Sequence, residues 1–402
     1  MKTLLINYIH KPQCIDKALP ILLGINRLGF DIEVLTILDL EEHFPNAISA
    51  DIEFFLEEQS HRIYKYKPLP KRKTKKRFLG INVGSSISKL RAWVRMLGLL
   101  RKEKIYSREK IVMLSANTAH TTYLGLLLLK KIKKINIGYF KSLNDQGVGI
   151  TAATSRKSLK WTRYYDYILL PSDSFKERLS LQTSSETLVP VGHLPFFGGW
   201  KEYVSQNAGR FILLPSPRST VMTVFARGPV AHKNASEQII TSDIERKLLI
   251  DLIETYRRLA PKGVVLIKPH PYQNLDVIKE ICRRYSDVRT SNLSPATLAA
   301  VSDLCVSTFS SSAVDILGFG KPSIEYFNGT EAFHRLHPND TVFARYGVVV
   351  CRTKAELQEA LVGALDVRIS ASPLEFRDLA FRERDFEHVF RMVCVETPSS
   401  MK

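Results

Sequence analysis

The sequence predicts a two-domain α/β protein with a parallel β-sheet in each domain. Short apolar runs rich in β-branched residues alternate with amphipathic segments, which is the pattern of parallel α/β folds. The alternation stops at a segment rich in glycine and aromatic residues, 192–210, and then restarts. A length of 402 residues also suits two domains of roughly 200 residues each better than one.

In the first half, each predicted strand is a short apolar run: 3–9, 31–35, 111–115, 135–140, 167–170 and 188–191. The predicted helices carry apolar residues at helical spacing: 15–28, 87–100, 118–131 and 174–181. The N-terminal run lacks a small-residue cleavage site, so we expect it to be a buried first strand rather than a signal peptide.

In the second half, strands are predicted at 210–214, 264–268, 288–290, 304–308 and 323–326. Helices are predicted at 244–259, 275–285, 295–302, 311–317, 353–365 and 373–393. The segment 216–242 has weak periodicity, which predicts a long loop.

These elements predict domains at 1–192 and 210–372, joined by a linker at 193–209. A C-terminal helical segment, 373–402, follows, and its return to the first domain is one alternative. Both domains have the strand–helix alternation of Rossmann-like folds. Such halves are expected to bind a ligand in the cleft between them, at the carboxyl ends of their strands.

The net charge of +18 indicates an acidic partner. Eight Lys and Arg residues and no acidic residue lie in 65–77, and a second basic cluster occupies 130–134. Three interpretations are open: a solvated surface loop, a patch for anionic membrane headgroups or polyanions, and a nucleic-acid site, which no known nucleic-acid-binding motif supports. The residues of the patch are Lys71, Arg72, Lys73, Lys75, Lys76 and Arg77.

Cysteine usage and hydropathy predict a cytoplasmic protein. The five cysteines are scattered and form no Cys-x-x-Cys pair, which suits a reducing compartment and argues against a cysteine metal site. No apolar run approaches the ~20 residues of a membrane span. With the basic patch, this predicts peripheral attachment at the inner face of the plasma membrane, and no nucleic acid is expected as a partner.

The first candidate site residue is His270, in the sequence Ile-Lys-Pro-His-Pro at 267–271. It follows a predicted strand, where α/β folds bind ligands, and the flanking prolines restrict its backbone. A rigid imidazole there can donate to a phosphate oxygen and stabilise the charge on a departing nucleotide. The alternative is a structural histidine in a strand-end turn.

A hydroxyl cluster, Ser310, Ser311 and Ser312, lies between a predicted strand and a helix. Serine hydroxyls and free N–H groups at a helix start bind anions. Capping needs only one serine, so three favour phosphate binding over capping alone. Glu325, in the strand at 323–326, is a candidate for binding both hydroxyls of a ribose, and a pair with a lysine is the alternative.

The strand end Lys-Pro-His-Pro at 268–271, followed forty residues later by a Ser-Ser pair, resembles the HP and SS motifs of bacterial sialyltransferases, polysialyltransferases and capsule Kdo transferases. Residues 308–327 are also similar to the CDP-glycerol and CDP-ribitol polymerases of wall teichoic acid. The resemblance covers roughly 260–330. It implies the GT-B fold, two Rossmann-like domains facing a central cleft. It also implies that His270, Ser310 and Ser311 contact the donor phosphate, with Ser312 beside them.

These families also have a pair of acidic residues before a glycine in the first half, which supplies a catalytic base. The matching segment here is Asn144-Asp145-Gln146-Gly147, so one acidic position holds glutamine. By this resemblance Asp145 would take the proton of the acceptor hydroxyl as it attacks the anomeric carbon. A turn without catalytic function is the alternative.

The sequence contains no Asp-x-Asp pair. Metal-dependent sugar transferases often hold a divalent ion on the diphosphate with such a pair, so we predict an enzyme that needs no metal and no cofactor. His270, the serines and the basic residues Lys268 and Arg218 would then neutralise the leaving group. CMP carries a single phosphate, which favours a CMP-sugar over a UDP-sugar.

The predicted function is the inverting, metal-independent transfer of sialic acid or Kdo. The CMP-sugar donor would bind to 210–372, and the surface glycan or glycolipid acceptor would bind to 1–192. Three alternatives are a transferase of polyol phosphate from CDP-glycerol or CDP-ribitol, a UDP-sugar epimerase of the same architecture, and a non-catalytic basic protein that binds nucleic acid.

Overall fold

The computed structural model of the chain describes most of both predicted domains. The described residues are 3–9, 12–38, 48–65, 77–78, 81–82, 94, 98–99, 101–105, 108, 110–116, 134–139, 165–180, 187–214, 219–228, 240–270, 273, 275–327, 342–366 and 378–394. None of the described helices has both the length and the apolar character needed to cross a membrane.

The strands of the described residues are β1 (Thr3–Ile9), β2 (Ile32–Leu38), β3 (Arg62–Lys65), β4 (Arg77–Phe78), β5 (Ile81–Asn82), β6 (Ile111–Ala116), β7 (Lys134–Tyr139), β8 (Tyr167–Leu170), β9 (Leu188–Pro190), β10 (Val221–Ala226), β11 (Val264–Pro269), β12 (Val288–Thr290), β13 (Leu304–Ser307), β14 (Ser323–Tyr326) and β15 (Val349–Cys351). The α-helices are α1 (Pro12–Arg27), α2 (Ala50–Gln59), α3 (Asp173–Ser180), α4 (Gly198–Asn207), α5 (Ser242–Leu259), α6 (Asp276–Arg284), α7 (Pro295–Val301), α8 (Ser312–Leu317), α9 (Lys354–Leu365) and α10 (Glu383–Cys394).

The chain forms two compact units. The first comprises Met1–Asn46, Glu53–Leu194 and Phe381–Lys402, and the second comprises Ala47–Ile52 and Pro195–Ala380. The C-terminal helix α10 therefore belongs to the first unit. The backbone N–H of Arg382 donates to the carbonyl of Val191 at 2.8 Å, which fixes the entry to α10 beside the end of β9.

The first unit contains a parallel sheet with the described strand order β3-β2-β1-β6-β7-β8-β9. All seven residues of β1 are buried, because helices cover a parallel sheet on both faces and its strands become continuous apolar runs. Helix α1 ends just before Gly29, whose positive φ of 68° lets the chain reverse into β2.

The second unit contains a parallel sheet with the described order β12-β11-β10-β13-β14-β15. Helix α5 begins at a cap in which the hydroxyl of Thr241 accepts from the N–H of Ile244 at 3.3 Å. Its apolar face then packs Leu249, Leu252 and Tyr256 into the core. The sheet and this face together bury the main hydrophobic cluster of the unit and leave the strand ends free to carry polar residues.

The first strand of the second unit differs from the prediction. Residues 211–214 form no strand: Leu213 is 90% exposed, and Phe211, Ile212 and Leu214 are partly buried against a hydrophobic cluster of the second unit. The strand at this place is β10, inside the segment predicted as a loop, and all six of its residues are buried between β11 and β13. A strand buried on both faces lacks alternation, and its weak periodicity therefore resembled that of a loop.

The segment predicted as the linker, 193–209, is also largely folded. Two of its glycines, Gly198 and Gly199, lie in the first turn of α4, and Trp200 and Val204 of this helix are buried in the second unit. The boundary between the two units falls between Leu194 and Pro195. The glycine content predicted a linker here, but the burial of Trp200 stabilises a helix.

Candidate functional site

Three neighbouring strands of the second unit, β11, β10 and β13, end at one edge of the sheet and carry polar residues there. Arg227 follows β10, His270 follows β11, and Ser310 follows β13. Because the strands are parallel and adjacent, the turns after them lie side by side at the carboxyl edge, the usual ligand-binding edge of α/β sheets.

The turn at His270 is held by hydrogen bonds to the end of β10 and to Gln273. The N–H of His270 is shared between the carbonyl of Ala226 at 3.1 Å and the side-chain oxygen of Gln273 at 2.9 Å. The N–H of Gln273 donates back to the carbonyl of His270 at 2.9 Å. Lys268, two residues earlier, donates from its ammonium group to the carbonyl of Asn292 at 3.2 Å.

The serine turn after β13 is closed by its own hydroxyl groups. The hydroxyl of Ser307 accepts from the N–H of Ser310 at 2.7 Å, and it also lies 3.2 Å from the carbonyl of Ser310. The hydroxyl of Ser310 accepts from the N–H of Ser312 at 3.4 Å, whereas Ser311 makes no side-chain cap of α8. Ser310 thus contributes to the helix start, as the capping alternative stated, and the three hydroxyls remain together at the edge of the sheet.

Arg227 is a site residue that the sequence interpretation missed. Its N–H donates to the hydroxyl of Thr308 at 2.8 Å, which ties the β10 turn to the serine turn. Its guanidinium lies 5.4 Å from the centroid of the Phe309 ring. Phe309 itself has a φ of +68°, a conformation rare outside glycine, and stacks on Phe327 at 5.3 Å.

Arg227 brings a positive charge to this edge that no described carboxylate pairs with. Burial lowers the pKa of its guanidinium, and no carboxylate among the described residues forms an ion pair with it. Half-buried arginines usually have an anionic partner, so a bound anion is the natural complement. The sequence contained the signal, an apolar run that ends in Ala-Arg-Gly at 226–228, but the segment was interpreted as a loop.

Glu325, the predicted ribose ligand, is fully buried. Its Oε1 accepts from the guanidinium of Arg352 at 3.1 Å, and the same guanidinium donates to the carbonyl of Phe327 at 2.7 Å. The structure therefore joins β14 to the end of β15 through an ion pair. The partner is an arginine rather than the lysine of the alternative, and the role of Glu325 toward a ribose stays a prediction.

A buried carboxyl group stands behind the His270 turn. Glu245, in the first turn of α5, accepts a hydrogen bond from the side-chain amide of Gln273. Burial raises the pKa of Glu245 to about 7, against a smaller opposite effect of the Gln273 hydrogen bond. Its second oxygen has no hydrogen-bond partner among the described residues. Neither Glu245 nor Gln273 was a candidate from the sequence.

The remaining predicted site residues lie outside the described residues. These are the candidate base Asp145, the basic residue Arg218 and most of the basic patch, namely Lys71, Arg72, Lys73, Lys75 and Lys76. Arg77 is described only as part of the short hairpin of β4 and β5. Within the described ranges, no three His, Cys, Asp or Glu side chains are grouped as a metal ion would require, and metal independence stays a prediction.

Comparison with solved structures identifies proteins of the same architecture. The chain is similar to the UDP-GlcNAc 2-epimerase from Methanocaldococcus jannaschii (TM-score 0.59, 13% identity, covering 98% of this chain and 99% of that one). It is also similar to the UDP-GlcNAc 2-epimerase from Neisseria meningitidis bound to UDP-GlcNAc (TM-score 0.57, 13% identity, 97% and 99%) and to a glycosyltransferase from Rickettsia africae (TM-score 0.50, 10% identity, 98% and 100%).

No protein-family model matches the chain, and no curated protein is similar to it in sequence. The predicted fold class is confirmed: two α/β units with parallel sheets, of the GT-B type. At identities of 10 to 13%, the similarity establishes the fold alone. The narrower resemblance to sialyltransferases and Kdo transferases stays a prediction.

Proposed function

We propose that this protein is a nucleotide-sugar-dependent glycosyltransferase whose second unit binds the donor. The observation that carries the proposal is Arg227, a half-buried arginine with no carboxylate partner among the described residues, at the end of the strand between those of His270 and the serine turn. Cationic and hydroxyl groups from three adjacent strand ends suit a phosphate of a nucleotide.

In this proposal the chemistry is the departure of a nucleotide. Arg227 and His270 bind the phosphate as its negative charge grows, and Ser310 and Ser311 add hydroxyl donors. Lys268 increases the positive potential of the same edge. Because a single phosphate needs less neutralisation than a diphosphate, the donor we propose is a CMP-sugar, with sialic acid or Kdo as the sugar.

The first unit would bind the acceptor, a surface glycan or glycolipid. Asp145 would remove the proton of the attacking hydroxyl, and the reaction would proceed with inversion and without a metal. The basic patch at 65–77 would hold the enzyme on an anionic inner membrane surface, where each Lys or Arg contributes about 1 kcal/mol. Charge reversal at Lys71, Lys73 and Lys75 should then release the protein from anionic vesicles.

A UDP-sugar 2-epimerase is the second candidate, because proteins with that name share the fold over almost the whole chain. The two functions predict different ligands. An epimerase would bind UDP-GlcNAc and convert it without an acceptor, whereas a CMP-sugar transferase would need an acceptor and prefer CMP. A polyol-phosphate transferase would prefer CDP.

A thermal-shift panel of CMP, CDP, UDP, GDP and UDP-GlcNAc tests the proposal. A nucleotide at a hundred times its dissociation constant stabilises the folded state by about 2.7 kcal/mol. We expect CMP to raise the melting temperature of the wild type more than that of Arg227→Ala or His270→Ala. Arg210→Ala, at an exposed arginine of the same unit, is the matched control and should respond like the wild type.

Stabilisation by UDP-GlcNAc alone would replace the CMP-sugar donor with a UDP-sugar, and conversion of UDP-GlcNAc without an acceptor would then identify the epimerase. Absence of any nucleotide effect in a folded sample would refute both enzymes. In that case a nucleic-acid-binding protein becomes the hypothesis to test, since its affinity for nucleic acid would fall steeply with salt.

A further inference from the structure

The side chain of Gln273 connects two groups with different hydrogen-bonding requirements. On one side is the N–H of His270, a donor, and on the other is the carboxyl group of Glu245, an acceptor. An amide presents its oxygen to a donor and its nitrogen to an acceptor, so only one orientation of the Gln273 amide satisfies both contacts. Glu245 therefore determines which end of this amide faces the His270 turn.

The pair is buried, with only 3% of Glu245 and 8% of Gln273 exposed. Buried polar groups are costly unless they are hydrogen-bonded, so an arrangement in which one oxygen of Glu245 has no partner among the described residues needs a reason. Packing restrains both side chains, which suits a role in holding a neighbouring backbone segment in place.

The same pair also touches the turn after β10. A Cβ atom added to Gly228 would lie 2.3 Å from Oε2 of Glu245 and 2.7 Å from the side-chain nitrogen of Gln273. The glycine thus lets the backbone next to Arg227 press against the pair. One buried contact therefore reaches two adjacent strand ends, those that carry Arg227 and His270.

We propose that Gln273 and Glu245 are positioning residues for the phosphate site. The carboxyl group of Glu245 orients the Gln273 amide, and this amide holds the His270 turn at a set distance from Arg227. The inference rests on the proposed function for its ligand, but the positioning of the turn is a property of the protein without a ligand.

Hydrogen exchange tests the positioning directly. The N–H of His270 donates to the side-chain oxygen of Gln273, so the exchange rate of this one N–H, resolved by NMR, reports on the turn. We expect Gln273→Met, which keeps the size of the side chain, to speed exchange at this turn by about tenfold. The control is Gln206→Met, at an exposed glutamine that pairs with Glu202 on α4.

Binding of CMP, and of UDP in parallel, tests the link to the site. Gln273→Met should lower the affinity for the nucleotide that binds the wild type by about tenfold. In a His270→Ala background the imidazole that the turn positions is absent. There Gln273→Met should change the nucleotide affinity by less than twofold. Glu245→Leu should behave like Gln273→Met, and Glu245→Gln, which keeps an acceptor for the amide, should bind like the wild type.

Each outcome decides a different point. Unchanged exchange at the turn in Gln273→Met would overturn the inference whatever the protein binds. Faster exchange with equal losses of affinity in the wild-type and His270→Ala backgrounds would also overturn it, since the role of the pair would be only structural. Faster exchange in a protein whose wild type binds neither nucleotide would refute the proposed function but support the positioning of the turn.

Discussion

Replacing Glu245 with glutamine should change how the stability of the second unit depends on pH. In the folded protein the pKa of Glu245 is raised from 4.5 to about 7 by burial. The folded protein therefore holds this proton more tightly than the unfolded chain, and the free energy of unfolding falls as the pH rises from 4.5 to 7. Above that range the loss is complete and no longer changes.

The magnitude follows from the difference between the two pKa values. Each unit corresponds to about 1.36 kcal/mol, so the ionised form of Glu245 costs the folded protein about 3 kcal/mol at pH 8 relative to pH 4. The amide of Glu245→Gln resembles the protonated carboxyl group and does not titrate. The variant should therefore gain about 3 kcal/mol over the wild type between pH 4 and pH 8.

Urea unfolding followed by tryptophan fluorescence measures this difference. The chain has three tryptophans, and Trp200 is buried in the second unit. A Trp93→Phe, Trp161→Phe background leaves Trp200 as the only reporter. Glu202→Gln, on the exposed face of α4, shows the effect of replacing a surface carboxylate. A wild-type-to-variant difference that stays constant from pH 4 to pH 8 would refute the reasoning.

Two further predictions concern packing and capping in the second unit. Gly263→Ala would place a Cβ atom 2.6 Å from the buried ring of Tyr256, so we expect a loss of about 2 kcal/mol in urea unfolding. Gly209→Ala has no atom within 4 Å of the new Cβ and should cost less than about 1 kcal/mol, so equal losses would contradict the overpacking argument. Thr353→Ala removes half of the capping box with Glu356, and thermal unfolding should show a loss of about 1 kcal/mol. An unchanged melting temperature would show that the box does not stabilise α9.

Much of the second unit could be predicted from its sequence because its strands are compact apolar runs between polar turns. The strands predicted at 264–268, 288–290 and 323–326 are β11, β12 and β14, each within one residue of its bounds. The short strand β15 and the helix α4 were missed. Their segments are too short or too rich in glycine for local propensity to favour them, and tertiary packing stabilises them instead.

In the candidate site, too, the sequence selects some residues and only the structure shows others. His270 and Ser310 follow strands that the apolar pattern predicts, so the rule that parallel strands present ligands at their carboxyl ends was enough to select them. Arg227 was not selected, because the apolar run before it lacks the alternation of a strand, and only the pairing with β11 and β13 identifies β10 as the central strand. Gln273 became visible only through its contact with a helix that begins before β11.

By itself, the sequence determined the α/β class, the two-part organisation and the strand ends that carry His270 and the three serines, since these depend on local patterns of apolar and polar residues. Only the tertiary structure decided that β10 occupies the middle of the second sheet and that Glu325 pairs with Arg352. It also decided that Glu245 is buried behind the His270 turn. The physical reason is that pairing between distant strands and the burial of charged groups depend on contacts made by the folded chain, which no local pattern encodes.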